Sequence, residues 1–323
     1  MIATAPVLSI RDISVDYMTD RGAVRAVDRV SLEVAKGEFL GIVGESGCGK
    51  STLLFAIARL LSPPAQIVEG TVHFQGRDMV TLSDKELRHV RWRDYSVVMQ
   101  SAMNALNPVM TIGAQLKDAI EAHERVPLRQ IRDRSEEVMR LVGIDPLHLQ
   151  SYPHQLSGGM RQRSMIAMAL VFTPDLVIMD EPTSALDVVA QRSLMLQIKE
   201  LQHKIGFAAV FVTHDMSLVS HFSDRLAVMY AGQVVEIGST RALFADPKHP
   251  YTKGLMQSFP SIVGAKQPLV GIAGAPPDLA APPQGCRFHP RCPQVMARCH
   301  DEDPAFYAQN ADLVRCFLYA DGR

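Results

Sequence analysis

The nine residues Gly44-Glu45-Ser46-Gly47-Cys48-Gly49-Lys50-Ser51-Thr52 follow the pattern G-x-x-x-x-G-K-[ST] in a chain of 323 residues. Glycines at this spacing let the backbone curl until successive N–H groups point at phosphate oxygens, and the positive end of a following helix strengthens the attraction. Lys50 has the reach for β- and γ-phosphates, and the Ser51 hydroxyl is a ligand for Mg²⁺. A triphosphate site also needs carboxylates to support the metal and position water. Leu176-Val177-Ile178-Met179-Asp180-Glu181 ends an apolar run on two of them. Asp180 suits Mg²⁺, directly or through a water, and Glu181 suits the orienting and polarising of an attacking water. Alone, such a run also describes a strand emerging into solvent; beside the glycine loop it reads as the second half of a nucleotide site.

Cysteine supplies the remaining chemistry. Cys48 lies inside the glycine loop, where local packing is its expected role and not ligation. Cys286, Cys292, Cys299 and Cys316 all fall in the last 38 residues, spaced C-x5-C-x6-C-x16-C. In a reducing compartment such a group reads as a metal site before it reads as disulfides. The spacing has neither the C-x2-C knuckles of zinc ribbons nor a ferredoxin pattern, so it does not name the metal. Four unrelated buried thiols, or disulfides in another compartment, are the alternatives. A Pro-rich segment with few apolar residues gains more from a four-thiolate clip than from packing, which favours a structural role over electron transfer.

These residues need elements to hold them. Val7 to Ile13 and Ala26 to Val34 alternate well enough for strands, and Phe39-Leu40-Gly41-Ile42-Val43 is a short apolar run before the glycine loop. Leu53 to Leu61 then reads as a helix, giving the strand, loop and helix order in which phosphate sites occur. Residues from roughly 112 to 144 read as amphipathic helix and look like a helical insertion. Leu176 to Met179 and Ala209 to Val212 read as buried parallel strands, with a helix of about Val188 to Lys204 between them. Alternating strands and helices indicate an α/β core.

Thirty-three Lys+Arg against 34 Asp+Glu leave a net charge of −1, which does not suggest a globally basic nucleic-acid binder. The chain is 47% hydrophobic and 21% charged, an ordinary globular mixture. Apolar runs such as Met165 to Phe172 stop far short of the roughly 20 residues that span a bilayer. The start, MIATAPVLSIRD, carries no expected secretory signal, which makes the cytosol the default compartment. Eleven of the 20 prolines lie from Pro247 onward, and with the cysteine cluster they place a boundary near residue 245. The expected division is 1–244 and 245–323. Histidines 154, 249, 289 and 300 are expected on the surface or in loops.

Leu156-Ser157-Gly158-Gly159-Met160-Arg161-Gln162-Arg163 resembles the signature motif of the ATP-binding cassette family, placed shortly before the Asp-Glu strand as that family requires. Other positions match one at a time. Tyr17 resembles the aromatic that stacks on adenine, although an ordinary half-buried strand tyrosine is the reading without the family. Gln100, after a strand Tyr95 to Met99, resembles the Q-loop glutamine, and its role, Mg²⁺ included, is carried from the resemblance alone. Ser184-Ala185-Leu186-Asp187 resembles the D-loop. His214 resembles the switch histidine, with a core histidine bonded to backbone as the alternative. The match covers essentially residues 7 to 240.

Within the family, VGESGCGKS, Ser101-Ala102-Met103-Asn104-Ala105-Leu106-Asn107-Pro108, Tyr152-Pro153-His154-Gln155, His249-Pro250-Tyr251-Thr252 and Gly285 to Pro293 resemble the dipeptide/oligopeptide/nickel importers. The resemblance implies a P-loop NTPase fold: a RecA-like core, an antiparallel β subdomain, a helical subdomain inserted at about 101–160, and a Cys-rich C-terminal extension with a metal-binding segment 286–316. It implies ATP held by residues 44–52 with Tyr17, Gln100, Asp180 and Asp187, and Mg²⁺ held by Ser51, Gln100 and Asp180. Lys50, Glu181 and His214 take the catalytic roles, and Ser157, Gly158 and Gly159 act on nucleotide held by a partner. It implies a [4Fe–4S] cluster on the four tail cysteines, with Zn²⁺ as the alternative. The partners implied are a homologous second ATPase, two transmembrane permeases and, indirectly, an extracytoplasmic substrate-binding protein, at the cytoplasmic face of the inner membrane and with no nucleic acid.

Overall fold

The computed structural model describes residues 5–100, 105–184, 186–258 and 271–320. They fall into two compact units, one of Met1–Val34, Glu38–Val80 and Val212–Arg323, the other of Ala35–Gly37 and Thr81–Phe211.

In the first unit β1 (Leu8–Thr19) and β2 (Gly22–Val34) run longer than their alternation predicts, because their far ends are half exposed and carry polar residues. With β4 (Ala65–Phe74) and β5 (Arg77–Asp78) they form an antiparallel sheet in the order β2-β1-β4-β5. A second sheet takes β3 (Phe39–Val43), β9 (Arg225–Tyr230), β10 (Gln233–Ser239), β11 (Tyr307–Gln309) and β12 (Asp312–Val314) in the order β11-β12-β10-β9-β3. Strand β9 lies parallel to β3 and antiparallel to β10, and β12 pairs Val314 with Glu236. All five residues of β3 are buried, as a parallel strand covered on both faces requires. Burying Phe39, Leu40 and Ile42 contributes about 1.5–3 kcal/mol each before entropy is counted. Helix α1 (Lys50–Ile57) follows the glycine loop, starting three residues earlier than expected because Gly49 serves as its N-cap.

The second unit holds β6 (Tyr95–Val98), β7 (Leu176–Asp180) and β8 (Ala208–Val212), neighbours in the order β8-β7-β6, with β6 and β7 parallel. Its helices are α2 (Asp84–Val90), α3 (Ile112–Glu121), α4 (Leu128–Leu141), α5 (Gly158–Leu170) and α6 (Val188–Ile205). The stretch 112–144, expected as amphipathic helix, therefore holds two helices. Pro127 sits at the N-cap of α4, and a proline disfavours helical backbone in the residue before it and offers no N–H to a continuing helix. The first unit is completed by α7 (Met216–Phe222), α8 (Thr240–Ala245) and α9 (Pro250–Gln257). Among the described residues no helix is long and apolar enough to cross a membrane.

Candidate nucleotide site

Strand β3 delivers the chain into the glycine loop, and two glycines there answer to close backbone approaches. A Cβ on Gly44 would stand 2.1 Å from the Met229 carbonyl oxygen of β9. A Cβ on Gly49, at φ +100°, would stand 2.3 Å from the Ala26 carbonyl oxygen of β2. Only glycine fits such positions. Lys50 is buried and its Nζ donates to the carbonyls of Gly44 (2.8 Å) and Glu45 (2.9 Å), curling the loop around its own lysine. Cys48 Sγ lies 3.7 Å from the same Nζ, and burial raises its thiol pKa, so it packs locally as expected. The hydroxyls of Tyr17 and Thr52 are 3.2 Å apart, which ties the half-buried β1 tyrosine to the first turn of α1. His214 is exposed just beyond β8, and Asp215 after it caps α7 by accepting from the Ser217 N–H at 2.8 Å.

In the second unit Asp180 is buried at the end of β7, and Glu181 follows with φ +44°, a left-handed conformation rare for a non-glycine residue. Gln100 Nε2 donates to Glu181 Oε2 at 3.3 Å. Ser157 is the N-cap of α5, its hydroxyl accepting from the Met160 N–H at 3.3 Å, and space is open beside Gly159. Asp187 is likewise a cap, accepting from Ala190 N–H at 2.9 Å at the start of α6. Ala185 of the D-loop tetrad and Ser101 to Asn104 after Gln100 lie outside the described residues.

The tail carries contacts that spacing did not reveal. Arg291, one residue before Cys292, puts Nη1 2.8 Å from Glu45 Oε2 and Nη2 3.0 Å from Glu45 Oε1. Arg287 donates to Asp28 at 2.8 Å, and Tyr251 accepts the Glu45 N–H at 2.9 Å. His249 lies in the loop ahead of α9, as expected, but it is buried there and caps the helix, its Nδ1 accepting from the Tyr251 N–H at 3.0 Å, and burial lowers its pKa to about 3. His154 and His300 are exposed and His289 is half-buried.

The cysteines stand near one another. Burial, opposed by a hydrogen bond from the Phe288 N–H and reinforced by the neighbouring thiols, pushes Cys286 up to about 12. Burial raises Cys316 to about 11, against a bond from the Leu318 N–H. The sulfurs of Cys292 and Cys299 accept from the N–H groups of Gln294 (3.4 Å) and Met296 (3.5 Å). Among the described residues, however, no three or more His, Cys, Asp or Glu side chains stand in a metal-ligating arrangement.

Two family models match: ABC transporter over residues 27–184, and oligopeptide/dipeptide transporter, C-terminal region, over residues 235–299. The dipeptide transport ATP-binding protein DppD of Bacillus subtilis is 44% identical over 316 residues, 97% of this chain and 94% of that protein. The chain belongs to the ABC transporter family.

The DppD protein of Escherichia coli is 42% identical over 300 residues, 92% of each chain. A dimeric post-hydrolysis state of the ATP-binding cassette MJ0796, bound to ADP and phosphate, superposes with TM-score 0.64 at 29% identity, covering 72% of this chain and 99% of that one. As an ABC ATPase the chain is an enzyme that binds and hydrolyses ATP, and its mixed sheet with flanking helices is the cassette fold. What the family pattern leaves unread is the tail's grip on the glycine loop. Its sequence signal is faint: two arginines, 287 and 291, inside the cysteine run.

Proposed function

We propose that the chain is the ATP-hydrolysing subunit of a peptide-type importer, working at the cytoplasmic face of the inner membrane with two permeases and a homologous second ATPase. The glycine loop carries the reading: its curl around Lys50 and the two sites that only glycine fits are what a phosphate cradle demands. Identity to dipeptide transport ATP-binding proteins over nearly the whole chain supports the peptide cargo. In this reading residues 44–52 hold ATP and Tyr17 stacks on its base. Glu181 orients the attacking water, and Gln100 and His214 sense the γ-phosphate. Ser157 to Gly159 and Asp187 serve nucleotide across a head-to-tail pair of cassettes, so that ATP favours closure and hydrolysis releases it.

Ser51, Gln100 and Asp180 offer hard oxygen donors that suit Mg²⁺, which would neutralise phosphate charge when bound. Residues 1–244 are the cassette, with helices of about 101–160 facing the permeases, and 245–323 the extension. Cys286, Cys292, Cys299 and Cys316 are assigned to a [4Fe–4S] cluster. Thiol donors with N–H groups on the sulfurs of Cys292 and Cys299 suit its chemistry, although among the described residues no three such side chains stand in a metal-ligating arrangement.

Mild-detergent extraction tests the importer: co-purifying permeases support it, and co-purifying ribosomes or DNA overturn it. Anaerobic purification tests the tail: a brown protein supports the cluster, and a colourless one with stoichiometric zinc removes it.

A further inference from the structure

Glu45 is an anion built into an anion-binding loop. A carboxylate beside a polyphosphate opposes binding unless a counter-charge offsets it, and the effect is strong where water is partly excluded. Both Glu45 oxygens rest on the fork of Arg291, and the arginine side chain is only 6% exposed while the glutamate side chain is 25% exposed. Every N–H of Arg291 is used. Nε donates to the Ala273 carbonyl at 2.9 Å, Nη1 also meets Tyr230 Oη at 3.3 Å, and Nη2 also meets the Ile272 carbonyl at 3.4 Å. The guanidinium also lies 5.7 Å from the centre of the Tyr230 ring. The backbone of the same glutamate is held on both sides, its N–H by Tyr251 Oη and its carbonyl by Lys50. A buried ion pair adds little net stability over an apolar pair of equal volume. Its place in the loop, by contrast, gives it a direct electrostatic effect on any bound phosphate.

We propose that Arg291 is a positioning residue whose charge makes the phosphate loop receptive: it holds and neutralises Glu45, so nucleotide affinity is set from the cysteine-bearing segment. This rests on the assignment of residues 44–52 as the ATP site and adds its electrostatic control.

The test is a fluorescence titration of the full chain with mant-ATP and Mg²⁺, at low and high salt, for wild type, Arg291→Gln, Glu45→Gln and the double variant. Arg291→Gln should weaken binding about tenfold at low salt and less at high salt, because an exposed anion is screened. Glu45→Gln should bind more tightly than wild type at low salt, because the Arg291 charge is then uncompensated beside the phosphates, and the double variant should return to within about twofold of wild type. An Arg291→Gln affinity equal to wild type overturns the proposal. A salt-independent loss that Glu45→Gln does not relieve also overturns it, since a purely structural defect behaves that way. Should Arg291→Gln fail to fold by circular dichroism, Arg291→Lys and Glu45→Gln decide. Lysine keeps the charge without the fork and should bind within about threefold of wild type; a larger loss, or weakened binding in Glu45→Gln, overturns the counter-charge. Wild type that binds no mant-ATP would sink the ATP site itself and the proposal with it, a result distinct from all the others.

Discussion

The amide of Gln100 donates to the carboxylate of Glu181 across 3.3 Å. Strands β6 and β7 are parallel, with Val98 opposite Met179, so the two residues leave the sheet at the same carboxyl edge, where open α/β sheets bind ligands. A carboxylate held this way is oriented before any water reaches it.

Glu181→Gln keeps the shape and the contact to Gln100 but loses the charge that polarises water. ATP binding should be retained and the closed dimer should accumulate on size exclusion, while turnover falls by about 10²–10⁴-fold. Phosphate release measured beside nucleotide binding checks this, and an unchanged hydrolysis rate removes Glu181 from the mechanism.

Gly49→Ala places a methyl 2.3 Å from the Ala26 carbonyl at a backbone φ of +100°. The strain should cost about 1–3 kcal/mol, and nucleotide affinity should drop because the N-terminus of α1 shifts. Thermal melts with and without ATP read both effects, and wild-type values in both would show that the loop yields freely.

His249 gives a pH signature. Its folded pKa is lowered to about 3 from 6.5, so the native state holds it neutral while the unfolded state takes a proton. The unfolded chain then binds more protons between those values, and stability falls as pH drops from about 6.5 towards 3, by up to about 1.4 kcal/mol per unit. Glu236, whose pKa burial raises, acts in the opposite sense, its contribution being lost as pH rises through the raised value. Denaturant melts of wild type and His249→Asn across this range isolate the histidine, since asparagine can still cap α9. Parallel pH profiles would refute the assignment.

Asp28 is buried among Arg287 and Gln233 Nε2, each at 2.8 Å, with Arg25 and Arg29 at 3.5 Å. Burial would raise its pKa, but the Gln233 hydrogen bond and the charges of Arg287, Arg29 and Arg25 hold it below the usual carboxylate value. Arg287→Ala leaves that carboxylate short of a partner and should cost about 2–4 kcal/mol. Arg287→Ala with Asp28→Asn should recover much of it in chemical denaturation; a double variant no more stable than the single would argue against the pair.

The nucleotide loop and the carboxylate strand are legible from sequence because each demands particular residues at fixed local spacing. Ser157 and Asp187 match the family pattern in sequence, whereas their hydrogen bonds as helix caps are seen only in the structure. The helical character of 112–144 is legible from its apolar stripe, but the stripe recurs on both sides of Pro127 and does not itself show where α3 ends and α4 begins. His249 reads as a surface or loop residue and does lie in a loop, but its burial depends on what packs above it, which local sequence does not show. Glu45 with Arg291 and Asp28 with Arg287 were beyond reach. They join residues 246 and 259 positions apart, and a charge leaves no periodic trace of a distant partner.

The short strands β11 and β12 have a protective consequence. Strand β10 would otherwise present a rim of unpaired amides seven residues long, a template onto which another chain could add. Strand β12 lies against the middle of it, at Glu236 and Ile237, and the outermost strand β11 is only three residues long. For a subunit proposed to work beside a close homologue, that stub guards against edge-to-edge misassembly and leaves pairing to the nucleotide-bearing faces.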